Sequence, residues 1–308
     1  MNSRVTLSVP SLLDQLDQKY MSSRLWLSMI SKASALFTLG RPFTSLLGAV
    51  AIFAASFVGS GKNIGSYGLP VALAALIGYL FTSASNSLND YFDHNVDCIN
   101  HPDRPIPSGK ISAREALVFS SVLFGLCLAL AVLLSIYSGI QALLIVLVSL
   151  MVQLAYDTKV KKAKTIGNIF IGFQTVLAFV FGGIIVNNLN PVLFMAVSSF
   201  LAITAREVVK DVEDIEGDVD KVSLPKIIGI KRANIIALVL ISSAVVLSLV
   251  GYYPLNLFGF GYLATVLVAD AVFIYSMTLL FKNPKAARRI WKFAMLLALI
   301  AFIISGIT

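Results

Sequence analysis

The chain has 308 residues, 57% of them hydrophobic and only 13% charged, with a formal net charge of +8. Its mean hydropathy is +0.86. No soluble domain of this size needs so much apolar surface, so the composition excludes a cytosolic globular enzyme and indicates an all-α, polytopic membrane protein. Two cysteines, Cys98 and Cys127, make neither a disulfide framework nor a metal-site spacing and read as small packing residues.

The first 22 residues are polar and mixed, unlike a cleaved signal peptide. Within them Val9, Leu12, Leu13, Leu16 and Tyr20 fit either a stripe lying on the membrane surface or a frayed tail. From there to the end, runs of about 20 apolar residues predict nine transmembrane helices. They span 28–59, 69–97, 112–135, 138–156, 165–187, 190–216, 231–251, 257–281 and 286–307, in a single domain covering 1–308. The first, second and sixth are longer than a crossing requires, so they tilt or project into water.

The loops set orientation. Arg104, Lys110 and Arg114 follow helix 2, Lys159, Lys161, Lys162 and Lys164 follow helix 4, and Lys221, Lys226, Lys231 and Arg232 follow helix 6. Lys282, Lys285, Arg288, Arg289 and Lys292 follow helix 8, while the opposite side carries only Lys62. By the positive-inside rule the N-terminus and the basic loops are cytoplasmic and the C-terminus is outside. The net charge therefore reads as topology and attraction for anions, not as nucleic-acid binding. The run Lys282 to Lys292 reads as topology alone.

Of 16 acidic residues, four lie between Asp90 and Asp103 and seven between Glu207 and Asp220. At about 100° per residue, Asn86, Asn89, Asp90, Asp93 and Asp97 share roughly a quarter of the circumference of helix 2. On helix 6, Glu207, Asp211, Asp214 and Asp218 make a second stripe, if the helix survives Gly217. Helices 2 and 6 are four apart and run in the same direction, which predicts a duplicated four-helix unit with helix 9 added. A single acidic stripe beside cytoplasm is ordinarily a solvated face. Two at equivalent ends of a repeat indicate a metal site, because carboxylates packed this closely repel unless a cation sits among them. Neither stripe holds Cys or His, and oxygen ligands suit Mg²⁺ better than a transition metal. His94 projects off the carboxylate face, which argues against zinc.

Three basic elements stand near these stripes. Arg104 lies in a loop fixed by Pro102, Pro105 and Pro107, Lys159, Lys161 and Lys162 follow Tyr156, and Arg41 interrupts helix 1 before Pro42. Carboxylates, Mg²⁺ and Arg/Lys together are what a diphosphate needs. No Gly-rich phosphate loop supports nucleotide hydrolysis. Asp270 is alone among apolar residues of helix 8 and reads as paired inside the bundle.

The segments Asn89-Asp-Tyr-Phe-Asp93-x₃-Asp97, Pro102-Asp-Arg104-Pro-Ile-Pro-Ser-Gly109 and Asp214-x₃-Asp218 resemble the UbiA superfamily of intramembrane prenyltransferases, over nearly the whole chain. The runs from Arg104 to Ser112 and from Arg206 to Asp218 look most like the archaeal digeranylgeranylglyceryl phosphate synthases of that superfamily. Chlorophyll synthases share the first run and the Glu-Gly-Asp ending but match Arg206-Glu-x-x-Lys210-Asp211 less. The segment Asp220 to Pro225 looks trimmed by comparison.

The resemblance implies geranylgeranyl diphosphate as donor and the glycerol hydroxyl of geranylgeranylglyceryl phosphate as acceptor. The second ether bond of archaeal membrane lipids would result. On that reading Asp93 and Asp97 hold one Mg²⁺ and Asp214 and Asp218 another, with Asn89 and Asp211 in support. Arg41, Arg104, Lys161 and the neighbouring Tyr156, Lys159 and Lys162 face the diphosphate, while Arg206 and Lys210 meet the acceptor's phosphate. Two lipid substrates are expected, and no protein partner. An aromatic acceptor, such as a quinone precursor or a chlorophyllide, is the alternative within the superfamily. An ion-coupled transporter is the alternative outside it, but that would place the acids at helix centres.

Overall fold

The computed structural model describes residues 29–160, 167–215 and 223–307. The N-terminal stripe, Lys161, Lys162 and Asp218 lie outside them. Eleven helices make up the described chain, and no strand is present among these residues. They are α1 (Met29–Leu39), α2 (Pro42–Ser60), α3 (Gly68–Asn100), α4 (Ala113–Ser138), α5 (Gln141–Ala155) and α6 (Gly167–Ile185). After these come α7 (Asn190–Glu213), the short α8 (Leu224–Ile228), α9 (Ile230–Tyr252), α10 (Phe260–Met277) and α11 (Pro284–Ser305). Seven segments are long and apolar enough to cross a membrane by length and composition, one of them, Pro42–Asn100, running through both α2 and α3.

The first predicted helix, 28–59, needs correction, because it is two helices. Arg41 has φ 49 and ψ 69, a left-handed conformation that ends α1, and Pro42 restarts the chain at the first position of α2. A residue with a side chain costs roughly 1–2 kcal/mol in that region, so something must hold Arg41 there. The sixth predicted helix, 190–216, ends as a regular helix at Glu213, and Asp214 is its cap. Helix 4 closes in a wider π turn, Tyr156–Val160, which turns the end of α5 toward the neighbouring helices.

Each helix of the series α2, α3, α4, α5 packs on the next, and the same order of neighbours recurs in α6, α7, α9, α10. The two series meet at α2 against α6, and α11 closes the bundle against α10, α7 and α2. Close approach of α2 to its neighbours depends on glycine, as membrane helices require where no hydrophobic effect drives them together. A Cβ on Gly182 of α6 would stand 2.6 Å from the Ile52 carbonyl oxygen, and one on Gly78 of α3 would collide with the Ile52 side chain. The three largest apolar clusters join α2 with α3–α6, α2 with α6, α7, α10 and α11, and α7 with α9–α11.

Chain direction brings the C-terminal ends of α3, α5 and α7 together with the starts of α2, α6 and α11. Arg41 meets Asp90, Asn168 meets Asp211, and Arg288 meets Glu213, one contact for each pairing of ends. Among the described residues, those singled out on helices 2 and 6 therefore gather on one side of the bundle.

Candidate active site

Asp90 and Asp97 are buried on α3, at 3% and 4% exposure, where an unpaired carboxylate would be costly. Both are paired. Arg41 Nη2 donates to Asp90 Oδ1 at 2.5 Å, Arg104 Nη1 to Asp97 Oδ2 at 2.5 Å, and the same Nη1 reaches Asp90 Oδ1 at 3.4 Å. This network explains the strained backbone at Arg41, since the left-handed turn aims its guanidinium at α3. It also pins the loop after α3, which Arg104 closes through backbone bonds from Arg104 to His101 and from Ser108 to Arg104. Asn86 adds a bond to the Gly40 carbonyl at 3.3 Å. Arg41 and Arg104, expected on the diphosphate, are thus held here by carboxylates, and Asp97, expected on a metal, is held by Arg104.

Asp93 and Asn89 are half-buried on the face of α3 turned to the bundle. On α7, Glu207 is buried and takes Arg206 through Nε and Nη2 at 3.1 and 2.5 Å, with Lys210 Nζ 3.8 Å from its other oxygen. Asp211 is half-buried and accepts from Asn168 Nδ2 of α6 at 2.8 Å, and Asp214 is exposed at the end of α7. The charges of Asp157, Glu207, Asp93 and Asp211 all reach the Tyr156 phenol. Tyr156 therefore marks the point where the stripes of α3 and α7 converge. Lys159, one turn on, is exposed. His94 Nδ1 lies 2.7 Å from its own helix's Tyr91 carbonyl and its ring stacks on Tyr91, away from the acids.

Among the described residues no three of His, Cys, Asp and Glu approach closely enough to hold a metal by themselves. That arrangement still fits Mg²⁺. Mg²⁺ is usually bound by one or two carboxylates plus the oxygens of a substrate phosphate, not by an all-protein cage. The donors offered by Asn89, Asp93, Asp211 and Asp214 are oxygens throughout, and they stand on two helices.

Beside these acids, reached through Tyr156 and Arg206, is a cavity of about 930 Å³ with an apolar wall, at the upper end of the range for ligand sites. Tyr156, Gln153, Arg206 and Lys292 lie on its polar end, and Phe43, Leu47, Ile77 and Phe81 are among its apolar lining. Three polar residues here escaped the sequence reading. Gln153 is buried and donates to Asp157 at 2.7 Å, Gln174 donates to the Gln153 amide oxygen at 3.2 Å, and Asn168 holds Asp211. Each lies inside an apolar run, where a carboxamide is costly, and that was the available signal. Asp270 also lines the cavity and accepts from Ser248 Oγ at 2.7 Å, as its isolation suggested.

The model of the UbiA prenyltransferase family matches residues 46–300. The chain belongs to that family. Digeranylgeranylglyceryl phosphate synthase of Methanosphaera stadtmanae is 36% identical over 267 residues, covering 85% of this chain and 94% of the relative. The enzyme of the same name from Methanocaldococcus jannaschii is 40% identical over 242 residues, covering 76% and 83%. A solved structure described as giving structural and mechanistic insights into digeranylgeranylglyceryl phosphate synthase in membranes superposes with a TM-score of 0.75 at 36% identity. It covers 90% of this chain and 99% of that one. The fold alone is shared with a UbiA homologue from Archaeoglobus fulgidus bound to GPP and Mg²⁺, at TM-score 0.69 and 19% identity, covering 88% and 98%. The chain is accordingly an integral membrane prenyltransferase.

Proposed function

We propose that this UbiA-family protein transfers a geranylgeranyl group from geranylgeranyl diphosphate to the glycerol hydroxyl of geranylgeranylglyceryl phosphate, making the second ether bond of an archaeal lipid. The observation that carries the reading is the convergence of two acidic helix ends on the polar mouth of an apolar cavity. Relatives of 34–40% identity carrying the name of that synthase support this substrate pair.

Asp93 with Asn89 on α3, and Asp211 with Asp214 on α7, are the groups that would hold Mg²⁺, one ion to each helix end. Asp218, beyond the described residues, is assigned to the second set. Held by those residues, Mg²⁺ would supply positive charge against the diphosphate leaving group. The chain's own residues do the rest. Asn168 fixes the orientation of Asp211, and the Arg41–Asp90–Arg104–Asp97 network fixes the end of α3, so the acids need no reorganisation as the allylic C–O bond weakens. Lys159 lies one turn on from Tyr156 for the outer diphosphate oxygens, and Lys161 and Lys162, beyond the described residues, are assigned to the same role from the sequence. The apolar cavity wall takes the prenyl chain and keeps water from the electron-poor C1 carbon, leaving the acceptor hydroxyl as its nucleophile. The basic loops and this site face the cytoplasm, and the nine long helices α2–α7 and α9–α11 span the bilayer, by the distribution of Lys and Arg.

Membranes containing the protein, given Mg²⁺ and radiolabelled geranylgeranyl diphosphate, test the reading when the glyceryl phosphate lipid and aromatic acceptors are offered in parallel. Label is expected in the diether phosphate. Transfer to an aromatic acceptor only would replace the proposal.

A further inference from the structure

The start of α11 carries more than topology. Positions 292, 295, 296, 299 and 302 of α11 all line the cavity, the spacing of one helical face, and Lys292 is the only charged residue on that face, at its outer end. Across from it on α7, Ser199, Ala202, Ile203 and Arg206 line the same cavity, again with the charge at the outer end. The two helices are locked in this register. Arg288 Nε and Nη2 grip Glu213 of α7 at 2.6 and 2.8 Å, and Trp291, 0% exposed, packs into the cluster with Ala205, Val208 and Val209. Arg288 and Lys292 are one turn apart, so the grip of the first fixes the direction of the second. The charges of Arg206 and Arg288 reach Lys292, as do those of their carboxylate partners Glu207 and Glu213.

We infer that Lys292, with Arg206, holds the phosphate monoester of the acceptor lipid, whose isoprenoid chain runs down the α7–α11 wall. The inference rests on the acceptor proposed above and adds a residue and a wall to it. It also revises the choice of partner for Arg206. Lys210, expected in that role, lies 3.8 Å from Glu207 and is not part of the cavity lining, whereas Lys292, exposed like it, is. The α11 helix packs on α10, α7 and α2, so Lys292 stands nearer the acids of α7 than those of α3.

Lys292→Gln and Lys292→Arg in membranes test this with two acceptors, geranylgeranylglyceryl phosphate and the same lipid without its phosphate. A charged hydrogen bond of the usual strength predicts a rise of about tenfold or more in KM for the phosphorylated acceptor in Lys292→Gln. KM for the donor diphosphate should stay unchanged, the difference between variant and wild type should vanish with the dephosphorylated acceptor, and Lys292→Arg should recover most of the loss. An unchanged acceptor KM, a rise in donor KM, or an equal loss on both acceptors would overturn the inference while leaving the reaction intact. Wild-type protein that transfers to no phosphorylated acceptor would instead sink the functional reading, and this inference with it.

Discussion

Asp90→Asn separates the acid that holds the fold from the acids that do chemistry. The amide keeps the shape of the carboxyl but not its charge, and the guanidiniums of Arg41 and Arg104 remain. Breaking a fully buried ion pair costs about 3–5 kcal/mol. Here the Asp90 side chain is 4% exposed, but those of Arg41 and Arg104 are 34% and 28% exposed, so water recovers part of the loss. A destabilisation of about 2 kcal/mol is expected. The cycle Asp90→Asn with Arg41→Gly isolates the pair, because glycine keeps the left-handed backbone at position 41 without strain. Unfolding of all four proteins in detergent should give a coupling of about 1–2 kcal/mol. Prenyl transfer should fall only as far as the folded fraction and the freed loop require. A coupling near zero, or an Asp90→Asn protein of wild-type stability and no activity, would show that Asp90 acts on the substrate and refute the assignment.

Asp93→Ala and Asp214→Ala should each lower transfer by about 10²-fold or more with the protein still folded in detergent, since Asp93 is half-buried and Asp214 exposed where Asp90 is buried. Turnover like wild type in either variant would end the two-metal proposal. Chelation with EDTA should abolish activity and added Mg²⁺ restore it, measured as labelled product from the same membranes; activity surviving chelation would remove the metal. Gly182→Leu should destabilise by about 1–3 kcal/mol or more, because its Cβ has no room beside the Ile52 carbonyl of α2. A folded, fully active Gly182→Leu protein would show that α2 and α6 separate more easily than their packing indicates.

The helices were legible because a membrane leaves one solution to an apolar run of this length: every backbone group bonded within its own helix. Asn89–Asp97 and Arg206–Asp214 were legible for the same reason, since acids at a membrane boundary need an explanation. So was the interruption at Arg41-Pro42, although the apolar run continues through it. Partnership was not legible. Spacing places Asp90, Asp93 and Asp97 on one face of a helix, but whether a carboxylate there meets a metal or an arginine depends on what the next helix presents. Only the packing of α2 and of the loop after α3 gave Asp90 and Asp97 to Arg41 and Arg104, leaving Asp93 turned toward the bundle. Likewise Lys292 is one of several basic residues before and within the last helix, indistinguishable by sequence from its neighbours. The Arg288–Glu213 grip and the burial of Trp291 rotate α11 so that this lysine, and not Arg289, lines the cavity. Periodicity determines which residues share a face; the tertiary structure alone decides what that face meets.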